Sequence, residues 1–166
     1  MSQAMVIEII DHQQEVVISA AMLAALRMAS EQIWPLLASY ACEPHHLGEL
    51  DALDIAMVSA AESDRSHREF MDVPGATDVI TFLHGELVIC PQVAADQARE
   101  HGEPLLREIL RYIIHGMLHL AGHRDDTDLM RRRMEAAQEE LVARAWQGWY
   151  FEDFRQEDHQ NEKNRL

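Results

Sequence analysis

The sequence predicts an α+β fold in which a small mixed β-sheet is packed with about five helices. Three observations carry that prediction. Short runs rich in β-branched residues are interspersed with longer segments whose apolar residues recur at helical spacing. Two of the short runs stand three residues apart around a glycine, the mark of a tight hairpin. Proline and glycine punctuate the joints between segments. A chain of 166 residues, 48% of them hydrophobic, suffices for one domain with a substantial core, placed at residues 1–150.

The elements follow in order. "MVIEII", Met5 to Ile10, reads as the first strand. Ser19 then caps a helix whose apolar positions Met22, Leu23, Leu26, Ile33, Leu36 and Leu37 keep helical spacing, with Pro35 as a kink or break. "ACEPHHLGEL" is loop. "LDIAMVSA", Leu53 to Ala60, is the second strand, and Ser59 or Ser63 caps a short helix that "DVPGA" ends. "TDVITF" (Thr77 to Phe82) and "ELVIC" (Glu86 to Cys90) form the hairpin across Leu83, His84 and Gly85. Pro91 opens a helix that Gly102 closes, and Pro104 begins another that runs to Gly122. The last helix spans Asp128 to about Trp146, with Leu129, Met134, Ala137, Leu141 and Val142 along one side. Five aromatics, Trp146, Trp149, Tyr150, Phe151 and Phe154, follow within nine residues and are expected to fold back over the core. Residues 151–166 read as a polar, flexible tail.

Charge and composition narrow the function. A net charge of −15 argues against a surface that binds nucleic acid throughout, because phosphate binding rests on Lys and Arg. The distribution is uneven. Residues 1–60 carry Arg27 as their only cation against eight acids, whereas Arg65, Arg68, Arg99, Arg107, Arg111, Arg124, Arg131, Arg132, Arg133 and Arg144 all lie later. A polyanion would meet that later half. No apolar run is long enough for a membrane span and the N-terminus lacks the basic start of a signal peptide, so a cytoplasmic location is expected. Cys42 and Cys90 make no CxxC motif and read as core filling. His45, His46 and His84 read as exposed loop residues.

The chemistry concentrates in "HGMLHLAGHRDD", His115 to Asp126. Residues at i and i+4 of a helix stand about 40° apart around the axis and one turn along it, so the His115 and His119 imidazoles can point at one ion. A continued helix would carry residue 125 roughly 15 Å beyond His115, too far for a shared ion. The chain must therefore reverse. Gly122 is suited to this, because a glycine after a helix takes the left-handed conformation without a Cβ penalty. His123, Asp125 and Asp126 are then the candidate third ligands. His123 follows the turn too closely, so the spacing favours an aspartate.

The succession "TDVITF", "GELVIC" and "HGMLHLAGHRDD" resembles the signatures of the YbeY family of rRNA-maturation metallo-endoribonucleases, which usually read close to TDVLSF, GDIVIS and HGxLHLxGxDH. The similarity runs from about Leu53 to Leu141. It implies a zincin-like arrangement with Zn2+ on the HGxLH helix, hydrolysis of single-stranded RNA, and a role in small-subunit rRNA processing and ribosome quality control. Carried over by position, the metal ligands fall on His115, His119 and Asp125. The third is a departure, carboxylate in place of imidazole, which weakens the ion as a Lewis acid and makes a harder divalent metal more credible. Asp126 is left to cap the last helix. Met71 stands where the family usually has a phosphate-holding arginine, and Arg68, one turn earlier, is the RNA-binding candidate in its place. The family's aspartate in GDIVIS is Glu86 here. His123 falls on a usually aromatic position and is expected to pack.

The resemblance thus implies metal-assisted phosphodiester hydrolysis, with no general base identified. A metallopeptidase would place a glutamate directly after the first histidine, where this chain has Gly116. A ribosome-associated binding protein with weakened activity is the other alternative, favoured by Met71, Asp125 and the acidic charge.

Overall fold

The structure, a computed structural model, describes residues 4–156. Four strands, β1 (Val6–Asp11), β2 (Ala52–Met57), β3 (Val79–Phe82) and β4 (Glu86–Ile89), form one sheet in the order β1-β2-β4-β3. β1, β2 and β4 run parallel, with Ile7 beside Leu53 and Ile55 beside Leu87. β3 pairs antiparallel with β4 through the hairpin at Gly85 and is an edge strand. The sheet is therefore mixed, as the sequence predicts.

Five α-helices surround it: α1 (Ala20–Ile33), α2 (Ala60–Met71), α3 (Pro91–His101), α4 (Leu105–Leu120) and α5 (Asp128–Trp146). Ser19 caps α1, and the helix passes at Trp34 into a 3-10 turn carrying Pro35, whose ring cannot continue the α-helical bonding. β2 ends earlier than the run "LDIAMVSA" suggests. Ser59 takes extended backbone and accepts the amide of Glu62, so the last residues of that run start α2 instead. Thr127, not Asp126, caps α5, accepting from the Met130 amide at 3.2 Å, while Asp126 pairs with Arg124.

Alternate residues of the inner strands, Leu53, Ile55 and Met57 on β2 and Leu87 and Ile89 on β4, are buried in one cluster with α1, α4 and α5. Within it α4 is buried nearly all round, including Ile109, Leu110, Ile113, Ile114, Met117 and Leu118. Gly116 lets this helix approach the sheet. A β-carbon there would lie 2.6 Å from Leu87 Cδ2, so no larger residue fits without displacing the strand side chain.

The C-terminal aromatics divide. Phe151 is fully buried and packs against the buried Trp146 with ring centroids 4.7 Å apart, and the Tyr150 hydroxyl bonds Gln32 of α1, whereas Trp149 is 72% exposed. Phe151 belongs to the core, as expected of the aromatic cluster, although the sequence also reads it as the first residue of the tail. The flexible-tail expectation for residues 157–166 lies outside the described residues. Cys90 fills the core as expected, and burial raises its thiol pKa, but Cys42 is exposed. No helix among the described residues is long and apolar enough to cross a membrane.

α4 ends in a Schellman turn: the Gly122 amide bonds the His119 carbonyl and the His123 amide that of Leu118, at 3.0 and 2.9 Å. The last free carbonyls, Leu120 and Ala121, accept the amides of His46 and Cys42 from a loop laid across the helix end. Gly122 has φ +91°, and a β-carbon there would lie 1.9 Å from the Cys42 carbonyl oxygen. Gly122→Ala combines backbone strain with a backbone clash. It is expected to destabilise the fold by at least about 2 kcal/mol in urea unfolding, where Gly75→Ala, with open space around it, costs less.

Candidate metal centre

His115 and His119 project from the same face of α4, and the turn at Gly122 brings Asp125 beneath them. The two Nε2 atoms are 3.1 Å apart, and Asp125 Oδ2 lies 4.0 Å from that of His115 and 3.7 Å from that of His119. A point equidistant from three atoms so separated lies about 2 Å from each, the length of zinc bonds to imidazole and carboxylate. Among the described residues these three form the group of His, Cys, Asp and Glu able to hold a metal ion. Of the two aspartates that the spacing left open, the structure brings Asp125 to the histidines, while Asp126 turns to Arg124 and His123 packs, its Nε2 donating to the Tyr40 carbonyl at 2.7 Å.

Both rings have their remaining nitrogen committed. His119 Nδ1 donates to the His123 carbonyl oxygen at 3.0 Å, and His115 Nδ1 to Gln138 Oε1 at 2.8 Å. With the protons on Nδ1, each Nε2 presents a lone pair. Two lone pairs 3.1 Å apart beside a carboxylate repel unless a cation lies between them. A proton is disfavoured in that role at His119, whose pKa is lowered by burial and by the neighbouring His115, against the pull of Asp125 and Asp78. A divalent metal meets the requirement.

The site opens into a cleft of about 850 Å³. One wall is the free edge of β3, with Val79 and Thr81; the other carries Arg124, Met130 and Arg133 from the turn and α5. Met71 and His67 of α2 also line it, but Arg68 does not. The reason is local. Asp64 Oδ1 accepts the Gly75 amide at 2.6 Å to hold the loop before β3, and that carboxylate draws Arg68 Nε to 2.9 Å, leaving the arginine exposed outside the cleft. His46, expected to be an exposed loop residue, is half-buried and lines the cleft; His45 is half-buried, and His84 is exposed and pairs with Glu86.

Sequence reasoning missed three features of the site. Arg124 and Arg133 are its cations; they were legible only as members of an arginine-rich half. Asp78 lines both this cleft and a smaller cavity of about 380 Å³ behind His115, and nothing in "TDVITF" alone signals that. Gln138 approaches His115 from 23 residues away on α5, a contact that only helix packing creates.

A profile described as Endoribonuclease YbeY matches residues 9–145. The chain belongs to the YbeY endoribonuclease family. An Endoribonuclease YbeY of Kineococcus radiotolerans is 34% identical over 123 residues, covering 64% of this chain and 71% of the relative. One of Clavibacter sepedonicus is 38% identical over 103 residues, covering 52% and 67%. The solution structure of a Thermotoga maritima protein superposes with a TM-score of 0.60 at 25% identity, over 86% of this chain and 91% of that one. The YbeY assignment agrees with Gly116 packed on Leu87, since that contact leaves no place for the glutamate of a peptidase helix.

Elemental analysis of the purified protein is expected to find about one divalent metal per chain, falling to a small fraction in Asp125→Ala and in His119→Ala. Full metal content in Asp125→Ala would remove that residue from the site.

Proposed function

We propose that this YbeY-family endoribonuclease is zinc-dependent, cleaves single-stranded RNA, and acts on small-subunit rRNA at the ribosome, in the cytoplasm, in rRNA maturation and quality control. The observation that carries the metal-dependent reading is the convergence of two imidazole lone pairs and a carboxylate oxygen on one point. Two imidazoles with one carboxylate suit zinc better than magnesium or calcium, which prefer oxygen throughout. When bound, the ion supplies Lewis acidity toward water and a phosphoryl oxygen.

The chain's own residues bind and orient the substrate. Arg133 on the cleft wall, and Arg124 once released from Asp126, hold phosphate oxygens. Met71, Leu83 and Met130 offer apolar surface to unstacked bases. Arg68 is left a peripheral role, meeting the strand outside the cleft after release from Asp64. The charge of Asp125 keeps the ion a weaker Lewis acid than three neutral imidazoles would. A second reading, a ribosome-associated protein with weakened activity, is favoured by Met71 standing in the cleft while Arg68 stands outside it.

Purified holoprotein is expected to cleave single-stranded RNA oligonucleotides, to stop on chelation and to recover with added zinc. The His115→Ala, His119→Ala double variant should lose at least about a thousandfold in rate, the several kcal/mol that a metal ion contributes. Undiminished cleavage by that variant overturns the proposal. Co-sedimentation of the wild type with ribosomes in the absence of any cleavage supports the second reading.

A further inference from the structure

Gln138 sits on α5 where that helix crosses α4, 8% exposed, with Oε1 2.8 Å from His115 Nδ1. A carboxamide can be turned over without change of shape, and the end that faces the imidazole decides whether Nδ1 donates or accepts. If the amide nitrogen faced His115, the ring proton would move to Nε2 and the lone pair needed for a cation would be lost.

Glu139 removes that freedom. Its Oε1 lies 3.2 Å from Gln138 Nε2, and a carboxylate only accepts, so the amide must turn its N–H toward Glu139 and its oxygen toward His115. Glu139 is kept ionised by the hydrogen bond from Arg111, which holds its pKa below the ordinary glutamate value. That contact is a two-pronged fork, Nε to Oε1 at 2.7 Å and Nη2 to Oε2 at 3.2 Å. Arg111 is itself fixed by Glu103 at 2.7 Å and by the buried Glu108. Orientation therefore passes from Arg111 through Glu139 and Gln138 to a ring on the other helix.

We propose that Gln138, oriented by Glu139 and Arg111, is a positioning residue that locks His115 in the tautomer able to bind metal. Its neutral carbonyl leaves Asp125 to supply the negative charge of the centre. The affinity consequence rests on the metal-dependent reading above; the tautomer does not.

Two measurements test it. In metal-free wild type, nitrogen-15 correlation spectra should place the His115 proton on Nδ1. Gln138→Leu, apolar and of similar size, should give a mixture of tautomers and raise the metal dissociation constant about 10- to 100-fold in competition with a chromogenic chelator. Gln138→Glu keeps an accepting oxygen on the ring and should restore the Nδ1 proton. Glu139→Gln frees the amide to turn over and should fall between wild type and Gln138→Leu in both readouts. An unchanged tautomer in Gln138→Leu, with affinity within about twofold of wild type, would overturn the proposal and reduce Gln138 to filling space. A wild type that binds no divalent metal would strike the metal-dependent reading instead, and the tautomer comparison would still decide the role of Gln138.

Discussion

At Gly122 the carbonyl of Cys42 comes so close to the backbone that no side chain can stand between them, and the centre is built around that contact. The loop that makes it satisfies the last carbonyls of α4, which would otherwise be left without partners beside the core. It also holds the His123 ring through the Tyr40 carbonyl, and the His123 backbone in turn holds His119 Nδ1. One close approach thus ends the helix, turns the chain back toward Asp125 and sets the tautomer of His119, a candidate ligand.

α4 joins two demands that usually lie on different elements. It is the most buried helix, packed against the sheet through Gly116 and against α5, and it also carries two imidazoles to the rim of a cleft. Burial fixes the histidine backbones, because any shift of the helix would disturb packing on several sides. The rings themselves are half-buried and so reach solvent and substrate. A rigid base with a wet edge is the arrangement a catalytic ion needs, where ligands must not move and a coordination position must stay open.

The distribution of charge fits this division. The chain carries a net −15, and its cleft sets Arg124 and Arg133 beside Glu43, Asp78 and Asp125, with Arg124 paired to Asp126. Other arginines are tied to carboxylates as Arg124 is: Arg27 to Glu31, Arg68 to Asp64, and Arg111 to Glu103, Glu108 and Glu139. With Asp125 beside the two imidazoles, the outer partner of His115 is a neutral amide, Gln138.

Much of this was legible before folding, because local rules are written in nearest neighbours. The mixed sheet, the hairpin, the break at Pro35 and the helix bounds near Asp128 and Trp146 followed from periodicity, proline and glycine. The pairing of His115 with His119 followed from 3.6 residues per turn, and the reversal at Gly122 from what glycine alone permits. Choosing Asp125 over Asp126 drew on the family resemblance, because the spacing left both open. Tertiary structure decided the rest: Asp64 draws Arg68 out of the cleft while it anchors the loop at Gly75, Thr127 takes the cap, Cys42 faces solvent and Trp149 stays outside the core. It also supplied Gln138, Asp78 and Arg133 to the site, since the sequence states which atoms a side chain carries but not which helix will be packed against it.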